Sequence, residues 1–555
     1  MTVIGIDFGT ASAMVSYFDG HAGRIIPNEW GAELTPTVVN AAPQSEVTVG
    51  AVAKARGSLD PAATAAGFKP FLGTKKRYVL QGETYTPTEL TALVLKNLRV
   101  SAQRYLGESV SEAVLSVPAY FDNRQQAALI EAAKLAGLTV VRLIGEATAA
   151  ALADQTAVTN VQRILVMDMG ADHFSVSLVQ HAAGTLQIMQ QEVANHLGGN
   201  DFTHALVTDF AAEARLTGID QPLYHQLFDQ LEELKKTANT DMNTLSVGDT
   251  EYSYSVDAAH LKSVFAPLLG AMRVPLDQVL HSAGLQLSDI DQVVLAGSGA
   301  QLPAVRQQVA KLCRCLPLLG ATPGDQVALG LAALAGQPQL CQTLREMVLA
   351  PISAHSFETQ ATQETANGEV TDFFVPLVDR GDSLPSQAVC SFTIDSGEEI
   401  SSVPVFLGEY QHTHENVYLG ALAVPQASAA RQVTVQFAFN SDLNLTVALR
   451  NDTTEQIATT VFVLDQDDLN DLERARMRSR LAAFKVPSKE EAENQLILTQ
   501  LERLSQETTG SVRERFRAER MNFLQLLAKQ NMEAINRARD EFADFIRDMQ
   551  SEYIL

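Results

Sequence analysis

Cysteine is scarce in this chain: Cys313, Cys315, Cys341 and Cys390 are the four among 555 residues. That number and spacing supply neither a disulfide framework nor a four-ligand zinc site, and Cys313-x-Cys315 reads as packing at a helix end. Basic residues are also few, 41 Lys and Arg against 65 Asp and Glu. A formal charge of −24 argues against nucleic acid or an anionic membrane surface as a partner. No apolar run reaches the roughly 18 residues of a membrane span. No basic segment leads into an apolar stretch ahead of the first strand. No Gly-x4-Gly-Lys-Ser/Thr occurs, which excludes a P-loop. These absences lead to an expectation of a soluble, cytoplasmic protein with no nucleic-acid and no membrane partner. The 46% hydrophobic content over 555 residues is enough for full cores in two to four domains.

What is present is a duplicated pattern of strand, Asp-x-Gly, tight turn and returning strand. The first copy runs Val3-Ile4-Gly5-Ile6-Asp7-Phe8-Gly9-Thr10 and returns through Ala13 to Tyr17. The second runs Ile164 to Gly170 around Asp168 and returns through Phe174 to Leu178. The aspartates lie 161 positions apart (168 − 7), which predicts two related lobes, each offering a hairpin to a shared cleft. A carboxylate beside a Gly-bearing turn suits a metal–polyphosphate ligand: the acid holds Mg²⁺ through water, and glycine lets backbone N–H groups approach phosphate.

Up to about residue 345 the chain alternates strands and amphipathic helices. Ala113–Pro118, Val140–Ile144 and Gln292–Ala296 read as strands. Arg124–Ala136 reads as a helix, and another starts near Pro303 after the Gly297-Ser298-Gly299 turn. A short apolar connector follows around Met347–Ser353. From about 354 to 463, alternating segments such as Val433–Phe439 and Leu445–Leu449 predict an antiparallel β domain. From about 465 onward the sequence is charged and helix-forming, with Ile497, Leu501 and Leu504 at helical spacing. A solvated bundle and a partner-binding coiled coil both fit this tail.

Three stretches carry a family resemblance: Ser116-Val117-Pro118-Ala119-Tyr120-Phe121; Ala136-Gly137-Leu138 with Arg142 to Ala151; and Leu197-Gly198-Gly199-Asn200-Asp201-Phe202. With Leu407-Gly408-Glu409 and Val435–Val447, they make the chain resemble the DnaK-type heat-shock chaperone family nearly end to end. In size and lid it is most similar to the short bacterial HscC-type branch. The resemblance implies an α/β, two-lobed actin-like nucleotide-binding domain (1–345), a linker (346–353), an antiparallel β-sandwich substrate-binding domain (354–463) and a C-terminal α-helical lid (464–555). It implies ATP/ADP and Mg²⁺ as ligands, a polypeptide client, and a J-domain co-chaperone as a partner.

By the same resemblance, Asp7 and Asp168 position Mg²⁺ through water, Gly9 and Thr10 contact phosphate, and Lys69 stabilises the transferred phosphoryl and orients water. Glu146 is the water-orienting or base carboxylate. Gly170, His173, Gly198 and Gly199 belong to the phosphate side of the site, and Glu232, Lys235, Lys236, Gly297 and Ser298 to the nucleoside side. Pro118 relays nucleotide state, Arg142 lies where J-domains act, and Ile400, Val403 and Val405 fall at the peptide pocket. Each has a plainer reading: Lys69 as a surface lysine, Glu232 and Lys235 as an i,i+3 pair, Pro118 as a strand-end proline.

Departures from the family pattern gather at these same sites. Gly170-Ala171-Asp172-His173 stands where the family has Gly-Gly-Gly-Thr, and Asp172 brings a carboxylate toward phosphate unless a cation intervenes. His173 either contacts phosphate or fills the loop. Ser175 replaces an aspartate, Ala11-Ser12 replaces Thr-Asn, and Ala300-Gln301 lacks the second glycine and the adenine-stacking arginine. Gln126 replaces an arginine, and Pro351 replaces the linker aspartate. Three functions follow from the sequence: an ATP-driven chaperone, a nucleotide-binding but hydrolysis-deficient binder dedicated to one client or assembly, and a sugar-kinase-like enzyme. The β domain and helical tail have no use in the third.

Overall fold

A computed structural model describes residues 2–41, 47–153, 162–182, 185–216, 219, 221–235, 242–247, 250–319, 324–337, 346–347, 353, 355–365, 368–380, 386–393, 401–408, 410, 413–427, 431–439, 444–463, 471–508, 510–529 and 532–553. The duplicated pattern becomes two matching sheets. In lobe I, Thr139–Gly145, Glu112–Val117 and Ile4–Phe8 run parallel, and Ser12–Phe18 and Gly23–Ile26 return antiparallel. In lobe II, Gln292–Ala296 and Gln162–Met169 run parallel, and His173–Ala182 and Thr185–Asn195 return antiparallel. The strands are near-continuous apolar runs because helices cover both faces. Ile4, Ile6, Phe8, Leu165, Met167 and Met169 are each fully buried.

A third core joins the lobes. Val327, Leu331 and Leu334 of the Gln326–Ala335 helix pack with Ile144, Ala149, Ile164 and Val166. Gly330 lies so close to the Glu146–Leu152 helix that a Cβ there would sit 1.8 Å from the carbonyl oxygen of Ala149. Only glycine admits that crossing. Cys313 closes its helix in the lobe II core with its sulfur 3.6 Å from Met167 Sδ, and burial pushes its thiol up to about 12. Cys315 is exposed, so the packing reading holds for Cys313 and not for Cys315.

Glu346–Met347 adds a parallel strand beside Leu186 and Gln187 at the edge of the lobe II sheet. The β region forms two antiparallel sheets, one ordered Gly368–Val378, Phe357–Thr365, Ser402–Leu407, Val417–Ala423, the other Ser386–Thr393, Gln432–Phe439, Asn444–Asn451, Gln456–Val463. Their facing residues, including Phe357, Val405, Val435, Phe437 and Val447, form one core. The C-terminal helices Lys489–Glu507, Gly510–Ala528 and Met532–Tyr553 bury Leu501, Leu504, Phe516 and Phe523 in a core of their own, the bundle alternative for the tail.

The helix Asp471–Ala483 does not cover the β sandwich. Leu481 and the following Phe484 enter the lobe I core, and Arg480 Nε lies 2.9 Å from Glu89 Oε1. Glu89 is 1% exposed, and burial pushes its carboxyl up to about 7 against the pull of Arg480. Removing one member of such a pair leaves a buried charge uncompensated. Arg480→Ala should therefore raise amide exchange across 471–483 by tenfold or more, and Glu89→Gln in the same chain should restore part of the protection. Unchanged exchange would mean that Leu481 and Phe484 alone hold this helix.

Candidate nucleotide site

Both Asp-x-Gly hairpins turn toward one open cleft between the lobes. The turns match atom for atom: Gly9 N donates to Ser12 O at 3.0 Å, and Gly170 N donates to His173 O at 2.9 Å. Asp7 pairs with Met14 in one ladder and Asp168 with Ser175 in the other, so both carboxylates sit one pair short of the end of their ladder, just before a turn. Asp7, Gly9, Thr10, Lys69, Glu146, Asp168, Gly170, His173, Gly297 and Ser298 all line the cleft.

Lys69 is no surface lysine. It opens the short turn Lys69–Phe71 and its side chain is 2% exposed. Nζ donates to Glu146 Oε1 at 2.9 Å and stands 5.7 Å from the centre of the Phe121 ring. Gln125, from the capping box that starts the Asn123–Leu135 helix, donates to Pro70 O at 3.0 Å and braces that turn. Ser116 donates to Asp7 Oδ1 at 2.7 Å and accepts from Phe8 N at 3.2 Å, which fixes the Asp7 carboxylate. Ser116 lies inside a quoted motif, yet its role was not legible, because only the parallel pairing of Ile4–Phe8 with Glu112–Val117 brings the two together.

The electrostatics fit a divalent cation. Burial, then repulsion from Glu146, pushes the Asp7 carboxyl up to about 6, although Lys69 and Ser116 oppose this. The same two causes push Asp168 up to about 7. Three carboxylates thus converge on Lys69, an excess of negative charge that Mg²⁺ would relieve. Gly297 is at φ +81°, and a Cβ there would lie 2.3 Å from Asp168 Oδ1 and from Met169 O. Gly297→Ala should cost about 2–3 kcal/mol of stability through strain and displacement of Asp168. A lowered melting temperature together with weakened Mg²⁺-dependent nucleotide binding would show it.

Other candidates lie around the cleft. Gly198 and Gly199 stand behind the second turn: the N–H groups of Gly199 and Asn200 donate to Gly170 O (2.9 Å) and Ala171 O (2.7 Å). They support the loop and do not line the cleft. Lys235 is buried, with Nζ 2.7 Å from both Gly199 O and Thr203 Oγ1 and paired with Glu232. The Glu232–Lys235 pair therefore anchors the start of the Gly199–Glu213 helix. Lys236, Pro351 and Ile400 lie outside the described residues. His173 fills its loop: Nδ1 is 2.9 Å from Asp172 Oδ1, and its ring meets Tyr120 edge-on at 5.6 Å while still bordering the cleft. Gln301 lines the cleft, and Arg306 Nη1 donates to the carbonyls of Ala300 (3.0 Å) and Gln301 (2.7 Å).

Pro118 is buried just past the end of Glu112–Val117, and Arg142 is half-buried on the outer strand of lobe I. Val403 and Val405 point into the sandwich core at 5% and 0% exposure. They pack into the sandwich interior, and Ser402 on the same strand is exposed.

Two sheets of matched topology around an acid-lined cleft with a buried lysine define a two-lobed α/β protein carrying an appended β sandwich and helical bundle. A sequence model of the Hsp70 protein family matches residues 3–79 and 76–553. The chain belongs to the Hsp70 family and is a chaperone of the Hsp70 type. Members of that family bind ATP or ADP with Mg²⁺, polypeptide clients and J-domain co-chaperones. No helix among the described residues is long and apolar enough to cross a membrane.

Proposed function

We propose that this chain is an ATP-dependent chaperone in which nucleotide in the inter-lobe cleft controls polypeptide binding by the β domain. The observation that carries the reading is the buried Lys69–Glu146 pair set between Asp7 and Asp168. Bound Mg²⁺·ATP supplies the phosphoryl group and a cation that neutralises charge on it. Asp7 and Asp168 would hold the metal through water, with Ser116 keeping Asp7 in place. Lys69 presents its ammonium to the transferred group and orients a water, and Glu146 accepts that water's proton. Thr10 and the N–H groups of the two hairpin turns serve the phosphates, and Gly297 and Ser298 the nucleoside side.

The domain scheme of this reading is 1–345, 346–353, 354–463 and 464–555, with the short HscC-type branch as the nearest kin and the cytoplasm as the site of action. Pro118, next to Tyr120 and Phe121, relays cleft state, and Arg142 is a docking point for a J-domain. Ile400, Val403 and Val405 belong to the client-binding strand, the two valines as its buried floor. Docking of Asp471–Ala483 on lobe I supports an arrangement in which the sandwich is uncovered for clients. Calorimetric Mg²⁺·ATP titration followed by single-turnover hydrolysis tests the reading. Saturable binding with measurable turnover is expected, and absence of binding at millimolar Mg²⁺·ATP would overturn it.

A further inference from the structure

The β domain reaches the phosphate loop through one residue. Arg380 follows the Gly368–Val378 strand, and its side chain is 1% exposed. Nη1 lies 3.1 Å from Asp172 Oδ2, Nε donates to Asn195 Oδ1 at 3.2 Å, and the guanidinium sits 4.4 Å from the centre of the Tyr120 ring. Its backbone N donates to Ser356 Oγ at 3.0 Å, and its carbonyl accepts from Asn195 Nδ2. Asn195 is the ladder partner of His173. The other oxygen of Asp172 is held by His173 Nδ1 at 2.9 Å. Both carboxylate oxygens are therefore committed, while Asp172 itself borders the cleft. Burial would raise its pKa, yet Arg380 and His173 hold this carboxyl well below the usual range, so it is charged.

An ionised aspartate on a phosphate-facing turn repels the ligand that turn is built for, unless a cation answers it. Here the cation arrives from another domain. We propose that Arg380 is a positioning residue of the nucleotide site: by neutralising and turning Asp172, it sets the affinity of the second turn for nucleotide phosphates. This rests on the nucleotide reading above. A second contact lies beside the catalytic lysine: Tyr410 stacks on Phe71 at 5.3 Å, and its hydroxyl donates to Gly67 O at 3.0 Å. The β domain thus touches both loops that carry charge into the cleft. A planar guanidinium suits the place, since it stacks on Tyr120 while bonding Asp172 and Asn195 at once.

The test is a double-mutant cycle in the full chain, with Mg²⁺·ATP and adenosine titrated against wild type, Arg380→Met, Asp172→Asn and the double variant. Arg380→Met should weaken Mg²⁺·ATP tenfold or more and leave adenosine, which has no phosphate, within twofold. Asp172→Asn should bind ATP at least as tightly as wild type. The double variant should return to within threefold of wild type, because no carboxylate remains to be neutralised. Should Arg380→Met not fold, Arg380→Lys completes the same cycle, with a threefold or larger loss expected. Unchanged ATP affinity on losing Arg380 overturns the inference, and so does a double variant as weak as the single, which would mark Arg380 as scaffold only. A wild-type chain that binds adenosine but not ATP, or neither, sinks the nucleotide reading itself.

Discussion

Lys69→Ala is expected to slow single-turnover ATP hydrolysis by roughly 10²–10³-fold, the usual effect of removing one preorganised charge from a transition-state site. Nucleotide affinity should fall much less, because the carboxylates that hold metal remain. The substitution also strands Glu146, whose Oε1 receives the lysine at 2.9 Å. Loss of the ammonium removes the cation that opposes the raised pKa values of both Asp7 and Asp168. Mg²⁺ should therefore stabilise Lys69→Ala against heat more than it stabilises wild type. Equal single-turnover rates for the variant and wild type would remove Lys69 from the chemistry. A variant that loses ATP binding altogether would make the lysine a binding residue instead.

Asp168→Asn should do the opposite to stability and function. In the folded chain the Asp168 carboxyl is raised from the usual 3.8 to about 7, first by burial and then by Glu146. The folded state therefore binds more protons than the unfolded one between those values, and this group's contribution to stability falls as pH rises through that window. Above about pH 7 the full penalty is present. A rise of that size is worth at most about 4 kcal/mol, and relaxation of neighbouring groups leaves roughly 2 kcal/mol for a neutral isostere to recover. Asp168→Asn should raise the metal-free melting temperature by several degrees at pH 8, with little change at pH 4. It should weaken Mg²⁺·ATP binding at least tenfold at either end of the neutral range. A melting temperature that falls at pH 8 would show that Asp168 is held by attraction and not by strain against its neighbours.

Sequence periodicity carried the local elements well. The Gln292–Ala296 strand matches its sequence reading residue for residue, and the hairpins around Asp7 and Asp168 agree within a few positions. Apolar runs, turn glycines and capping residues act over short stretches, so they are readable one segment at a time. The site was legible to the extent that it is built from those segments. Asp7, Lys69, Glu146 and Asp168 do meet in one cleft. Gly198, Gly199, Glu232 and Lys235 brace the second turn and the start of the helix behind it, an arrangement that spacing along the chain does not reveal.

The charge problem posed by Asp172 was visible in the sequence, but its answer was not. Arg380 is 208 positions away and follows a strand of a different domain, with no motif around it. Arg480 and Glu89 are 391 positions apart (480 − 89), and their pairing depends on a helix docking on lobe I. By itself the sequence determined the two related hairpin-bearing lobes, the antiparallel β region and the helical tail, since each arises from local conformational preference and patterned burial. Tertiary structure alone decided which charges face one another across domain boundaries. Such pairs are selected by the docking of whole folded surfaces, and nothing in their own neighbourhoods along the chain records it.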